Sequence, residues 1–135
     1  MSRKYLEELH SKTVTNYCHL LENKEDDREA IWEKERQIYG FDNRETWSLD
    51  FTFYLWLYER LMMYKEIGGQ VVNLSYHRFF KYKNKEYTQL ELIDEMLTRL
   101  RFCFSEEYNE WDEDHYEYVH EIEAIWAVVL PAMWW

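Results

Sequence analysis

Turn-forming residues are so scarce in this chain that most of it must lie in long regular elements. The 135 residues include three glycines and one proline, which are the residues that most often interrupt helices and strands. Apolar residues recur every three to four positions over most of the chain, and this spacing predicts amphipathic helices. The length fits one ordinary domain. We therefore expect a single, mainly α-helical domain over residues 1–135.

Five helices follow from the periodicity and from the residues that begin or end each pattern. Gly40 is expected to end the second helix, and the pair Gly68-Gly69 the third. Thr88 and Glu91 have the spacing of a capping box at the start of the fourth helix. Together the helices predict an irregular bundle with boundaries at about residues 3–22, 26–39, 44–67, 89–104 and 112–130.

A change of period marks one short β-hairpin at about residues 71–87. Apolar residues occupy alternate positions from Val72 to Tyr82, which is the pattern of strands with one buried face. Lys83, Asn84 and Lys85 form the expected turn, with Asn84 in a left-handed conformation. The fold class is thus mainly α with a minor β component.

The helical stripes also predict which side chains face inward. Charged Asp50 and Arg60 lie on the most apolar helix, so we expect both to be satisfied inside or at the edge of the core. The apolar residues expected inward on the second, third and last helices include Ile31, Ile38, Trp47, Tyr54, Leu61, Tyr116, Val119, Ile122 and Val129.

Cysteine usage and hydropathy indicate a cytoplasmic protein. Cys18 and Cys103 each lie in an apolar helical context, so both are expected to be buried, reduced thiols. The chain opens on an amphipathic pattern rather than a signal peptide. No uncharged stretch approaches the roughly 18 residues that span a bilayer. We expect no membrane association and no cofactor.

Negative charge is concentrated near the C-terminal end of the chain. The net charge is −11, and residues 106–123 hold nine acidic residues with no Lys or Arg. The predicted hairpin carries the opposite charge, with four cations between Arg78 and Lys85. The acidic region would repel a phosphate backbone, so direct DNA binding is not expected as the main function.

Aromatic side chains lie among these acids and make the acidic region the leading candidate for partner binding. The chain contains seven Trp, twelve Tyr and seven Phe, and exposed rings of this kind commonly anchor interfaces. Carboxylates spaced along a helix can imitate a row of phosphates for a basic protein partner. The candidate residues are Glu106, Glu107, Tyr108, Glu110, Trp111, Asp112, Glu113, Asp114, Tyr116, Glu117, Tyr118 and Glu121.

The sequence gives weaker signals for metal binding, catalysis and nucleic-acid contact. Glu7 with His10 and Glu117 with His120 have the Glu-x-x-His spacing of di-iron bundles, but pairs this short arise by chance, and no metal site is expected. No grouping of a nucleophile with a base, and no glycine-rich phosphate loop, indicates an enzyme. Cationic and aromatic residues are interspersed along the hairpin. The hairpin is therefore kept as an alternative contact surface, including for single-stranded nucleic acid.

Two strings give the chain a family resemblance. The string NRETW that begins at Asn43 and the ending LPAMWW from Leu130 resemble small proteins encoded by phages and prophages of Gram-positive bacteria. The resemblance implies a viral setting, in which small acidic proteins often inhibit host defence, including anti-CRISPR proteins that occupy the DNA-binding surface of a nuclease. Such surfaces are rich in Lys and Arg.

The leading expectation is therefore a non-enzymatic inhibitor whose acidic, aromatic region docks on a basic protein surface, such as that of a CRISPR-associated nuclease. The alternative is a phage structural or assembly protein that self-associates through the hairpin and the C-terminal tryptophans.

Overall fold

The computed structural model describes residues 27–76 and 78–134. Within these residues the chain is mainly α-helical with one antiparallel hairpin, as the sequence predicts. It divides into two compact units, with the boundary between Glu59 and Arg60. The single domain over residues 1–135 stays a prediction. The predicted helix at residues 3–22, with Glu7, His10 and Cys18, lies outside the described residues.

Helix α1, Glu29–Tyr39, opens the described part of the first unit and ends where the sequence predicts. Gly40 adopts a φ of 83°, and its N–H donates to the carbonyl oxygen of Arg36. A side chain would be strained in this left-handed conformation, which explains glycine here.

The inward face of α1 differs from the prediction. Ile31 and Ile38 are 58% and 61% exposed, whereas Trp32 is buried. Trp32 and Arg36 are four residues apart and therefore share a helix face. Arg36 reaches the buried carboxylate of Asp42 from this face, at 2.8 Å. The inward side of the helix therefore carries Trp32 and Arg36, the partner of Asp42, instead of the two isoleucines.

A 3₁₀ turn, Asn43–Thr46, separates α1 from helix α2, Leu49–Met63. Asp42 caps the turn by accepting a hydrogen bond from the backbone N–H of Arg44. The predicted helix at 44–67 is therefore interrupted near its start. Trp47 precedes α2 and is exposed, so its expected inward position is wrong.

Helix α2 buries most of its circumference, as expected for the most apolar helix of the chain. Its buried residues are Tyr54, Leu55, Leu57, Tyr58, Leu61 and Met62. Asp50 and Arg60 are both exposed, so the prediction that they lie inside or at the edge of the core is wrong. Asp50 lies in the first turn, where a carboxylate suits the helix start, and it accepts a hydrogen bond from the Ser48 hydroxyl at 3.0 Å.

In the second unit, the glycine pair does not end the helical backbone. A π-helical turn, Tyr64–Gly68, and a further turn, Gly69–Val71, continue the path of α2. Gly68 and Gly69 have φ values of −60° and −63°. Glycine permits a left-handed conformation but does not require one. The helical path ends at Val72, which is extended.

The hairpin is shorter than predicted. Strand β1, Phe79–Tyr82, pairs with strand β2, Lys85–Thr88, in antiparallel register. Lys83 and Asn84 have φ values of 48° and 62°, which is the two-residue turn that matches strand twist. Residues 72–76 form turns instead of a strand, and the N–H of Leu90 donates to the Leu74 carbonyl oxygen.

Helix α3, Gln89–Cys103, begins with the predicted capping box. The Thr88 hydroxyl accepts from the Glu91 N–H at 3.1 Å, and the Glu91 carboxylate accepts from the Thr88 N–H at 3.0 Å. These two bonds satisfy backbone donors that the first helical turn leaves without partners.

Replacing Thr88 by alanine is expected to lower the free energy of unfolding by about 1 kcal/mol, because the N-cap bond is lost. Chemical denaturation monitored by circular dichroism measures the change. Thr98→Ala is the control on the same helix, since the Thr98 hydroxyl bonds to the Asp94 carbonyl oxygen within the helix and alanine suits that position. Equal decreases in the free energy of unfolding for both variants would show that the capping box does not stabilise the helix.

Helix α4, Glu113–Val129, packs against α3, and the hairpin packs against both helices. The buried residues of this core include Leu92, Ile93, Met96, Leu97, Leu100, Val119, Ile122, Ile125 and Val129. The thiol of Cys103 is buried, as predicted. Tyr116 was expected inward but is about half exposed, because it lies in the first turn of α4.

The C-terminal end of α4 passes into a 3₁₀ turn, Leu130–Ala132, which contains Pro131. Trp134 beyond it is exposed. Across the two described ranges, no helix combines the length and apolarity needed to cross a membrane.

Candidate functional site

The predicted partner-binding residues lie on a loop and on the helix that follows it. Residues 105–112, here called the acidic loop, connect α3 to α4 through a series of turns. The exposed carboxylates on the loop and the first turns of α4 are Glu106, Glu107, Glu110, Asp112, Glu113, Asp114 and Glu117. The structure thus brings most of the sequence-predicted acids together on one exposed stretch.

A cluster of rings packs the loop onto α3. Phe102 makes edge-to-face contacts with three rings, at centroid distances of 5.8 Å to Tyr108, 4.9 Å to His115 and 5.4 Å to Tyr118. Such T-shaped pairs each contribute roughly 0.5–1.5 kcal/mol beyond their buried area. Tyr108 and Tyr118 therefore serve the packing of the loop itself.

Hydrogen bonds fix the tip of the loop. The Asn109 side-chain oxygen accepts from the Trp111 N–H at 3.0 Å, and the Asn109 N–H donates to Nδ1 of His115 at 3.2 Å. The Asp112 carboxylate caps α4 by accepting from the His115 N–H at 3.2 Å. Each of these hydrogen bonds joins residues of the loop and the first turn of α4. The loop conformation is therefore largely set by the chain itself, without a partner.

Trp111 stands out from this fixed loop. Its side chain is 88% exposed, whereas most tryptophans in folded proteins are largely buried. It lies between Glu110 and Asp112 in the chain, so two carboxylates flank a large apolar side chain in the sequence. This combination suits a partner that offers both positive charge and a surface on which a ring can pack.

Arg99 supports the surface from α3. Its guanidinium lies 4.4 Å from the Tyr118 ring centroid and donates to the Tyr118 carbonyl oxygen at 2.8 Å. Glu95 accepts from the same guanidinium at 2.7 Å. The Arg99 guanidinium therefore holds Tyr118 in place within the unit. This contact indicates that Tyr118 belongs to the ring cluster rather than to the partner-binding surface.

The Glu121 carboxylate forms an ion pair with the hairpin and so does not contribute to the acidic surface. Its carboxylate lies 2.6 Å from the Lys83 ammonium. Opposite Lys81 in the register is Glu86, so two of the hairpin cations face a carboxylate within the unit. The basic strip expected from the sequence is correspondingly weakened.

Glu117 and His120 have the spacing of di-iron ligands, for which no metal site is expected from the sequence. The His120 ring instead lies 3.1 Å from the Glu123 carboxylate and packs against Tyr116. Among the residues that the structure describes, no group of three or more His, Cys, Asp or Glu residues is placed to hold a metal ion.

The first unit contains a second charged cluster, which the sequence did not indicate. Asp42 is 0% exposed, and Arg36 and Arg44 each donate to its carboxylate at 2.8 Å. Arg44 also lies 4.3 Å from the Trp32 ring centroid. Burial alone would raise the pKa of Asp42, but the hydrogen bonds from Arg44 and Arg36 outweigh it and hold the pKa below its usual value.

Sequence reasoning found the acids and Trp111 but missed the residues that position them. Phe102, Asn109 and His115 hold the acidic loop, and none was singled out. Two local signals were present: Asn109 precedes Trp111 by the two residues of an Asx turn, and Asp112 precedes His115 by the three residues of an N-cap.

The described residues thus define a helical protein that presents an exposed acidic and aromatic surface. In comparisons with known proteins, the chain matches no family model, no curated protein and no solved structure.

Proposed function

We propose that this protein is a non-enzymatic inhibitor that docks its acidic loop and the start of α4 on a basic, nucleic-acid-binding protein surface. The observation that carries the proposal is Trp111, exposed at the tip of a loop that hydrogen bonds and ring contacts hold in place. A preorganised loop loses little conformational entropy on binding, which favours affinity.

Three features of the surface support a macromolecular partner. Its candidate residues are exposed rather than enclosed in a cleft, which suits a protein surface more than a small substrate. The carboxylates attract Lys and Arg and speed association. Trp111 adds apolar anchoring that a phosphate backbone lacks, so the surface can compete with nucleic acid for the same cleft.

The resemblance to phage proteins makes a CRISPR-associated nuclease of a Gram-positive host the first partner to test. Such nucleases hold nucleic acid in positively charged channels and read DNA with arginines. An acidic protein in that channel would exclude DNA by occupying its binding groups.

Charge reversal in the loop tests the proposal. Glu107→Lys with Glu110→Lys changes two exposed acids that precede α4, so the helix start keeps Glu113 and Asp114. We expect wild-type protein to reduce DNA binding by the purified nuclease in a gel-shift assay, and this double variant to lose at least about tenfold in potency.

The matched control reverses charge on the hairpin of the same unit. Lys81→Glu with Lys85→Glu also changes the net charge by four, in the opposite direction, and should keep most of the inhibition. Loss of inhibition in the hairpin variant, with none in the loop variant, would assign the contact to the hairpin. Circular dichroism confirms that both variants stay folded.

Self-association as a phage assembly protein is the second candidate. Phe79 on the hairpin and Trp134 near the C-terminal end are both exposed, and exposed large apolar residues can form interfaces. Sedimentation of the full chain distinguishes the two functions. A stable oligomer that Phe79→Ser and Trp134→Ser dissociate would favour assembly.

A further inference from the structure

Helix α2 carries large apolar side chains on the side that faces away from the core. Leu49, Trp56 and Met63 are 63%, 45% and 49% exposed. Phe53 on the same side is half-buried. The other side of the helix is buried through Tyr54, Leu55, Leu57, Tyr58, Leu61 and Met62. A helix that is apolar on so much of its circumference is normally covered all round, so the exposed side indicates an interaction surface.

The spacing of this surface indicates what kind of element covers it. The side chains follow one another along α2 in alternating steps of four and three residues. We call this set the α2 stripe, and its members are Leu49, Phe53, Trp56, Arg60 and Met63. Alternating steps of four and three are the heptad spacing with which two helices pack side by side. The stripe therefore favours a second helix as its partner.

Two rings in the middle of the α2 stripe are already ordered. Phe53 and Trp56 stack with their ring centroids 6.1 Å apart and their planes 17° from parallel. Aromatic side chains are enriched in the core of protein interfaces. Since each ring already rests on the other, little side-chain freedom is lost when a partner covers them. The rings are therefore suited to be the centre of a contact.

Arg60 is the charged member of the α2 stripe and restricts which helix can cover it. A purely apolar helix would bury the guanidinium against carbon, which is costly. The face of an aromatic ring can instead accept a guanidinium, and tryptophan does so best. Trp56 offers such a ring on the same stripe. We infer that α2 pairs with α2 of a second copy of this chain in antiparallel orientation, with Arg60 of each copy against Trp56 of the other.

The antiparallel pairing also gives the neighbouring stripe residues suitable partners. When Trp56 lies opposite Arg60 of the second copy, Phe53 lies opposite Met63, because both pairs have residue 58 as their midpoint. A methionine sulfur against an aromatic ring is a favourable contact. A parallel pairing would instead place Arg60 against Arg60 of the second copy, where like charges repel. The stripe is therefore complementary to itself about a two-fold axis.

Sedimentation equilibrium of the full chain tests the pairing. Over about a hundredfold range of concentration, wild-type protein should show a reversible equilibrium between monomer and dimer. Trp56→Lys and Arg60→Glu should each weaken dimerisation at least about tenfold, because each removes a contact that the dimer makes twice. Trp111→Ala is the control, since Trp111 is exposed but lies in the acidic loop, and it should dimerise like wild type. A wild-type monomer at every concentration, or a dimer that both stripe variants leave intact, overturns the inference.

A double variant tests the orientation of the two helices. In the antiparallel pairing, Trp56→Lys combined with Arg60→Glu places the new ammonium against the new carboxylate of the second copy at both contacts. The double variant should therefore dimerise at least about threefold more tightly than either single variant. In a parallel pairing the same changes would oppose ammonium with ammonium and carboxylate with carboxylate. A double variant that dimerises no better than the single variants contradicts the antiparallel pairing, provided that circular dichroism shows all three folded.

Salt separates this dimer from the proposed function, with which the α2 stripe shares no residue. Each copy has a net charge of −11, so two copies repel each other and added salt should strengthen the dimer. Binding of the acidic loop to a basic partner should instead weaken as salt rises. A dimer without any binding to the nuclease would keep this inference and overturn the proposed function. Dissociation of the dimer by added salt would show that apolar contact through the stripe does not hold it.

Discussion

We expect replacement of Asp42 by alanine to lower the free energy of unfolding by about 3–5 kcal/mol, the usual loss when one partner of a buried ion pair is removed. The Asp42 carboxylate accepts from the Arg44 N–H and Nε, each at 3.0 Å, and from Nη2 at 2.8 Å. It also accepts from Arg36 at 2.8 Å. Without it, the buried Arg44 guanidinium loses its carboxylate partner and cannot recover full hydration.

Asp50→Ala is the matched control for this stability measurement. Asp50 is exposed and accepts one hydrogen bond from Ser48, so its loss should stay within about 0.5 kcal/mol. Both variants are compared by urea denaturation at pH 7. A loss below about 1 kcal/mol for Asp42→Ala would show that the buried network does not stabilise the fold.

The pH dependence of this stabilisation has a definite sign. The pKa of Asp42 is lowered in the folded protein from the ordinary value of 3.8. Its contribution is therefore fully present above that ordinary value and is lost as pH falls through the lowered one. The stability difference between wild type and Asp42→Asn should stay constant from pH 8 to pH 5 and shrink below about pH 4.

Local signals in the sequence predicted the parts of the fold that depend on neighbours in the chain. The capping box at Thr88 and the end of α1 at Gly40 are where they were expected, because each needs a few adjacent residues. The alternation over Val72–Tyr82 predicted a hairpin, but its first half forms turns. A period of two over a short segment does not by itself show that the segment forms a strand.

Errors arose where a side-chain contact that periodicity does not reveal decides the outcome. Ile31 and Ile38 fit an inward stripe, yet Trp32 is buried and Arg36 donates to the buried carboxylate of Asp42. Helical periodicity alone cannot show that a carboxylate six residues beyond Arg36 will be buried. The same limit applies to the acidic loop, whose charges are visible in the sequence while its packing on Phe102 is not.

The exposure of Trp111 permits a variant that alters binding without altering the fold. Its side chain is 88% exposed, and the bond that holds residue 111 uses its backbone N–H. Trp111→Ala should therefore change the free energy of unfolding by less than about 0.5 kcal/mol, as expected for a surface substitution. Any loss of binding is then a direct effect on the interface.

Trp111→Ala is expected to weaken binding to the basic partner by about 2 kcal/mol, or roughly 30-fold, as for an interface anchor. The loss should lie mainly in a faster dissociation rate, because short-range packing acts after encounter. Glu107→Lys with Glu110→Lys should instead slow association, and that effect should shrink as salt shortens the Debye length below about 8 Å. Surface plasmon resonance at two salt concentrations separates these rates.

Trp134→Ala is the control for this measurement, because Trp134 is another exposed tryptophan of the same unit and lies outside the acidic loop. It should leave both rates within about twofold of wild type, as expected for a residue outside the contact. If Trp111→Ala also bound normally while Lys81→Glu with Lys85→Glu abolished binding, the hairpin would be the contact. The partner would then have to offer negative charge, since the hairpin supplies the cations.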